Sequence, residues 1–109
     1  MAKQLKFTYK GKEYTLEYTR RTVMEMERKG FVASDVTTKP MTTLPALFEG
    51  AFLAHHRFDA KTEVIDDIFA HMTNKAELIG ALADMYNEPI MAMVEEPEAA
   101  EGNVNWAMN

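Results

Sequence analysis

The chain has 109 residues, of which 47% are hydrophobic and 27% charged, and its formal net charge is −5 at pH 7. A chain of this length and composition is expected to form one globular domain around one core. It contains no cysteine, which excludes disulfides and cysteine-ligated metal sites. No stretch approaches the ~18 uninterrupted apolar residues of a membrane span, so no membrane partner is predicted.

Two short runs of alternating apolar residues predict a β-hairpin over residues 4–18, turning at Lys10-Gly11. The apolar positions are Leu5, Phe7, Tyr9, Tyr14, Leu16 and Tyr18. Because side chains alternate between the faces of a strand, pairing across the turn places both runs on one face. A lone hairpin is marginal in water, so this face must be covered by helices of the same chain or by another protein.

A first helix is predicted over residues 20–29, directly after the hairpin. Thr19 can cap its start and Gly30 can end it, and Phe31 is expected to pack back on the helix. Val23 and Met26 supply its apolar positions at helical spacing.

A second helix is predicted over residues 44–57, after a connecting loop over residues 32–42. Thr43 precedes Leu44-Pro45, and proline is tolerated in the first turn of a helix, so the helix is expected to begin there. Its predicted core stripe consists of Leu44, Leu47, Phe48, Ala51, Phe52 and His55.

The last two helices are predicted over residues 62–72 and 75–94. Asn74 and Glu77 have the spacing of a capping box at the start of the final helix. Pro89 removes a backbone donor, so a break is expected near residue 89, with the helix either ending near Asn87 or kinking.

The predicted fold is therefore α+β: an N-terminal two-stranded antiparallel hairpin followed by about four helices packed as a small bundle. This single domain is expected to span residues 1–94. Residues 95–109 are rich in glutamate and contain no basic residue, which is typical of a flexible acidic tail.

The histidines and adjacent aspartates do not predict an enzyme. His55 and His56 are neighbours on a helix and point about 100° apart, so they cannot bind one ion together. Only Asp59 stands at four-residue spacing from His55. Asp66 and Asp67 also point to different faces, and the electrostatics of a helix start explains them. With no phosphate-binding loop or nucleophile elbow, no catalytic, metal or cofactor site is predicted.

The charge is unevenly distributed, since residues 1–30 are net basic and the remainder is acidic. Arg20-Arg21 follow the tyrosine-bearing strands, so one interpretation is a small phage or bacterial regulatory protein whose basic N-terminal end contacts nucleic acid or an acidic protein face. The acidic total weighs against phosphate contacts. Enough amphipathic helices follow to cover the hairpin, which favours core roles for Tyr9, Tyr14 and Tyr18.

The order of these elements resembles the tail assembly chaperone group of long-tailed bacteriophages. The likeness covers roughly residues 4–94 and is carried by three phrases, YTLEYTRRTVMEMERKGF, PALFEGAFLAHH and ELIGALADMYNEPI. The resemblance implies a non-enzymatic protein of the bacterial host cytoplasm that binds the tape measure protein and helps to bring tail tube subunits to it. It also implies a longer form made by ribosomal frameshifting near the C-terminus. No site residue carries over.

A protein-binding surface is the functional site that the residues themselves favour. A tape measure segment presents an amphipathic helix, which a groove lined by adaptable hydrophobic side chains can hold. The chain has 9 methionines, whose unbranched side chains adapt to irregular partners. The predicted surface includes Leu47, Phe48, Phe52, Met85, Ile90, Met91 and Met93. Association between copies of the chain also remains open.

Overall fold

The structure is a computed structural model that describes residues 3–95 and 102–108. Within these residues an antiparallel hairpin is followed by helices, which confirms the predicted α+β fold. The strands are β1 (Leu5–Tyr9) and β2 (Lys12–Leu16), and the helices are α1 (Arg20–Arg28), α2 (Pro40–Gly50), α3 (Leu53–His56), α4 (Thr62–His71) and α5 (Lys75–Ala92).

The hairpin closes through a two-residue turn. Lys10 and Gly11 both have positive φ, 49° and 81°, which is the backbone of a type I′ turn and matches the twist of the strands. This turn sets the register in which Phe7 lies opposite Tyr14, with their ring centroids 5.4 Å apart. The predicted apolar face is confirmed, and it points toward the helices.

Helix α1 begins and ends where the sequence predicts. The hydroxyl of Thr19 accepts a hydrogen bond from the N–H of Thr22, whose own hydroxyl accepts from the N–H of Thr19. At the other end Gly30 has a φ of 94°, and the N–H of Phe31 donates to the carbonyl of Met26 at 2.9 Å. This is a Schellman ending, and it returns Phe31 to the core as expected.

The predicted bounds of the second helix are wrong at its start. Helix α2 begins at Pro40, which occupies its first turn, so Thr43, expected to precede the helix, lies inside it and is buried. Pro45 also lies within the helix. Its missing N–H leaves the carbonyl of Met41, an exposed residue of the first turn, without a helical donor.

A turn at Ala51 and Phe52 divides the predicted helix 44–57 into α2 and α3. Both turn residues are buried, and the carbonyl of Ala51 accepts the N–H of Glu17 at 3.0 Å. The turn therefore directs α3 alongside β2. His55, expected on the core stripe, lies instead at the surface.

The final helix begins at the predicted residue, Lys75, but differs from the prediction in its cap and in its end. Asn74 has a left-handed backbone, with a φ of 52°, and its side chain caps nothing, so the predicted capping box with Glu77 is wrong. Of the two courses predicted at Pro89, an end near Asn87 is wrong, because α5 continues through Pro89 and ends at Ala92, two residues before the predicted bound at residue 94.

The core lies between the apolar face of the hairpin and the inner faces of the helices. The fully covered residues of this core include Leu16, Phe48, Phe52, Ile68 and Leu82. Tyr14 and Tyr18 belong to this core, whereas Tyr9 packs against it only partly buried. None of the described helices is both long and apolar enough to cross a membrane.

Beyond α5 the structure describes residues 102–108, which form neither helix nor strand and are exposed. The other part of the predicted tail over residues 95–109, namely residues 96–101 and residue 109, lies outside the described residues.

Candidate protein-binding surface

Helix α5 changes its surroundings along its length. Its first half packs into the core, where Tyr86 meets the ring of Tyr18 at 5.4 Å and that of Phe31 at 5.3 Å, both edge to face. Aromatic pairs of this geometry add to the stabilisation that burial provides. The helix is thus fixed against the end of the hairpin before it reaches Pro89.

The last turn of α5 and the two residues beyond it carry exposed apolar side chains. Ile90 is 40% exposed, Met91 54%, Met93 57% and Val94 78%. We call these four residues the α5-end patch. Neighbouring large apolar side chains in water are a feature of contact surfaces rather than of a closed domain.

A shallow depression of about 320 Å³ adjoins the α5-end patch. Its lining residues are Tyr18, Thr19, Arg20, Glu88, Pro89, Ala92 and Met93. Met93 belongs to both the patch and the depression, so the two form one continuous surface between the end of α5 and the start of α1.

Pro89 shapes this part of the helix without ending it. Proline supplies no N–H to the preceding turn, so the carbonyl of Met85 receives no helical hydrogen bond from residue 89. The N–H groups of Met93 and Val94 then bond three residues back, to Ile90 and Met91, each at 3.1 Å. The backbone at Met93 and Val94 therefore turns more tightly than an α-helix.

The seven predicted surface residues separate into two groups. Leu47, Phe48, Phe52 and Met85 are each at most 5% exposed and belong to the core. Ile90, Met91 and Met93 are exposed. Helical spacing identified both groups as apolar, but it could not show that the folded chain covers the first group and leaves the second exposed.

Hydrogen bonds explain the pair of histidines. His56 Nε2 accepts the N–H of Thr15 at 2.9 Å, which places the ring proton on Nδ1, and Nδ1 then donates to Asp59 at 3.2 Å. Asp59 therefore accepts a hydrogen bond from His56, although the four-residue spacing had suggested His55 as its partner. Among the described residues, no group of three or more potential metal ligands comes together.

His55 binds the residue that follows β2. Its Nε2 donates to a carboxylate oxygen of Glu17 at 2.6 Å, and Gln4 donates to the same carboxylate. Burial raises the pKa of Glu17, but these two hydrogen bonds and the electrostatic attraction of His55 together bring the pKa below its ordinary value. Both histidines thus join α3 to the hairpin.

Asp67 has a structural role beyond the electrostatics of a helix start. Its carboxylate accepts a hydrogen bond from the hydroxyl of Tyr9, and Lys10 Nζ lies 3.8 Å away. The bond from Tyr9 is the main reason that the pKa of Asp67 is lowered. Asp67 therefore joins α4 to the tip of the hairpin, whereas Asp66 stays exposed.

A larger groove, of about 540 Å³, was not predicted from the sequence. It runs from the end of α1 across α2 to the start of α4, and Glu49 lies in its wall. Burial and the nearby Asp66 raise the pKa of Glu49, while Lys29 lowers it. The walls come from segments far apart in the sequence, so no local pattern could reveal the groove.

Comparison with curated proteins and with solved structures gives no match for this chain. A family model described as "Domain of unknown function (DUF5055)" matches residues 1–109. The match spans the whole sequence, and the chain therefore belongs to the DUF5055 family.

Proposed function

We propose that the protein is a non-enzymatic binding protein of phage or prophage tail assembly, which holds a helix of the tape measure protein and helps to bring tail tube subunits to it in the bacterial host cytoplasm. The observation that carries the proposal is the α5-end patch with its adjoining depression. The resemblance of the chain to tail assembly chaperones supplies the identity of the partner.

The chemistry of the patch suits a helical partner. Met91 and Met93 have flexible thioether side chains, which can follow the uneven apolar stripe of an amphipathic helix. Each is more than half exposed, so a docked helix would remove additional apolar area from water at each of them. Full burial of a methionine side chain contributes about 1.5–3 kcal/mol, and roughly half of this is available at each of the two, because each is already nearly half covered.

The depression beside the patch supplies orientation. Arg20 lies on its rim, and its guanidinium group can bind a carboxylate or a helix C-terminus of the partner. Tyr18 and Pro89 form apolar walls that do not need to move on binding. The partner expected here is therefore a helix with an apolar stripe and an acceptor group near its end.

The proposal is tested by co-expressing the chain with candidate tape measure proteins and measuring co-purification of a soluble complex. Met91→Asp combined with Met93→Asp is expected to weaken binding by at least about tenfold, because even 1.4 kcal/mol of lost binding energy is a factor of ten. Circular dichroism should show unchanged folding, since both side chains already face water.

Met41→Asp is the matched control, because Met41 is 87% exposed on α2 and belongs to neither the patch nor the depression. It is expected to bind like the native chain. Equal binding by the native chain and the double variant would remove the α5-end patch from the proposal. Failure of every tape measure protein to bind the native chain would overturn the proposal as a whole.

The alternative, contact of the basic N-terminal end with nucleic acid or an acidic protein face, has less support. Lys12 Nζ lies 2.9 Å from Asp59, and Lys10 Nζ lies 3.8 Å from Asp67, so two of the basic side chains already have acidic neighbours. Steep loss of nucleic acid binding with rising salt would favour the alternative over a helix-binding surface.

A further inference from the structure

The two outer edges of the hairpin are treated differently by the fold. On the outer edge of β2, the N–H of Thr15 bonds to His56 and the N–H of Glu17 bonds to Ala51. Thr15 lies opposite Lys6 in the register, so the backbone N–H and C=O of Lys6 point away from β2. Hydrogen-bonding direction alternates along a strand, so the backbone groups of Thr8, two residues on, point the same way. No described residue bonds to the outward N–H of Lys6 or Thr8. The edge of β1 is therefore open.

The apolar face is also covered unevenly. On β2 the inward side chains of Tyr14 and Leu16 are buried, whereas the three inward side chains of β1 are only half-buried. These three are Leu5, Phe7 and Tyr9. An added strand beside β1 would cover the remaining apolar surface and satisfy the open backbone groups together.

The described C-terminal residues have the pattern of such a strand. Val104, Trp106 and Met108 alternate with Asn105 and Ala107, and the three large side chains are 88%, 81% and 87% exposed. Period-two spacing places all three on one face of an extended chain. The segment therefore offers an apolar face of the same length as that of β1, and its own domain leaves it uncovered.

Charge distinguishes this segment from other extended peptides. The edge of β1 carries Lys6 and is continued by Lys3 and Lys10, and lysines on an edge oppose pairing with ordinary strands. The sequence immediately before the strand-like segment carries four acidic residues, Glu95, Glu96, Glu98 and Glu101. The lysines therefore attract this segment, and the attraction will weaken as salt rises.

From this combination we infer that two copies of the chain associate by exchanging their C-terminal segments, each adding residues 104–108 as a third strand on the open β1 edge of the other. Reciprocal exchange closes the pair, because the same two surfaces are used on both copies. The inference does not rest on the α5-end patch, so it stands or fails separately from the proposed function.

Trp106 makes the inference directly measurable, because it is the only tryptophan in the chain. Light scattering on the full-length native chain is expected to show the mass rising from 12.4 kDa toward twice that value as concentration increases. The emission of Trp106 should move to shorter wavelength along the same concentration curve, as its ring leaves water.

Thr8→Pro tests the β1 edge. It removes the outward N–H and fills the edge with a ring, yet it costs the hairpin no internal hydrogen bond. Thr8→Val is the matched control, which keeps the N–H and is expected to associate like the native chain. Thr8→Pro is expected to remain at 12.4 kDa with unshifted emission.

Trp106→Asp tests the other half of the contact from an exposed position that cannot unfold the domain. It is expected to weaken association by about tenfold or more, as loss of a central aromatic contact does. A native chain that stays monomeric at all concentrations would overturn the inference, as would a dimer in which Trp106 emission is unchanged. A shifted emission that is independent of concentration would mean that the segment folds onto its own β1 edge, which also overturns exchange between copies.

Discussion

The two strands of the hairpin are of equal length and face the same core, but the fold covers only one of them fully. Strand β2 has buried inward side chains and an outer edge closed by α3. Strand β1 has half-buried side chains and an open edge. Strand β2 therefore attaches the hairpin to the helices, whereas the outer edge of β1 is available for contact with another strand.

Leu16 and Leu5 give the sharpest test of this difference, because they lie opposite each other in the register. Leu16 is 0% exposed, so Leu16→Ala is expected to reduce the free energy of unfolding by about 2–5 kcal/mol. Leu5→Ala should cost only about 1 kcal/mol, because part of the Leu5 side chain is already in water. Chemical denaturation of both variants measures the two values. Equal losses would show that β1 is covered as well as β2.

The hydroxyl of Tyr18 provides the next largest effect. It donates to the carbonyl of Leu47 at 2.6 Å, near the end of α2. In a regular α-helix the N–H of Ala51 would donate to this carbonyl, but it donates to the carbonyl of Phe48 instead. Tyr18→Phe leaves this buried carbonyl without a donor and is expected to cost about 1–3 kcal/mol. Tyr9→Phe, on β1, removes a hydrogen bond at a more exposed site and should change stability less. The reverse order in thermal denaturation would contradict the comparison.

His56→Ala would open the second edge of the hairpin. The N–H of Thr15 would lose its acceptor, at an expected cost of about 1–2 kcal/mol. Hydrogen exchange at the amide of Thr15 should accelerate, while that of Phe7, which faces β2, should change less. His55→Ala is the control, since His55 binds a side chain rather than the strand backbone. Unchanged exchange at Thr15 would show that α3 does not protect this edge.

Asp59 gives the smallest expected effect, and it depends on pH. Hydrogen bonds from Lys12 and His56 lower its pKa below the ordinary value of 3.8. The folded chain therefore binds this proton less tightly than the unfolded chain, so the contribution of Asp59 is present above pH 3.8 and is lost as the pH falls through the lowered pKa. Asp59→Asn should flatten the acid side of the melting temperature curve. If the melting temperature of Asp59→Asn falls with acid as steeply as that of the native chain, other carboxylates cause the pH dependence.

Features that depend on neighbouring residues could be predicted from the sequence. The turn at Lys10-Gly11, the cap at Thr19 and the ending at Gly30 each follow from the backbone preferences of one or two residues. The apolar spacing also identified most of the core. These features are local, so no knowledge of the folded chain was needed.

Features that depend on distant contacts could not be predicted. Pro40 and Pro45 can each begin a helix, and the local sequence does not decide between them; in the folded chain α2 begins at Pro40 and Thr43 is buried. The turn at Ala51 exists because its carbonyl meets Glu17, a residue of another element. For the candidate site, spacing found the apolar residues of α5, but the exposure of Met91 and Met93 depends on which neighbouring elements reach the end of this helix.

The hydrogen bond between Thr15 and His56 joins residues 41 positions apart, and this separation has a consequence during synthesis. A hairpin with a two-residue turn forms in about 1–10 μs, long before the ribosome has made α3. At about 5–20 residues per second, the 41 residues after Thr15 require about 2–8 s. A lone hairpin is only marginally stable, so for these seconds the apolar residues of the new hairpin segment have no α3 to pack against. In that interval, association with other chains competes with completion of the fold.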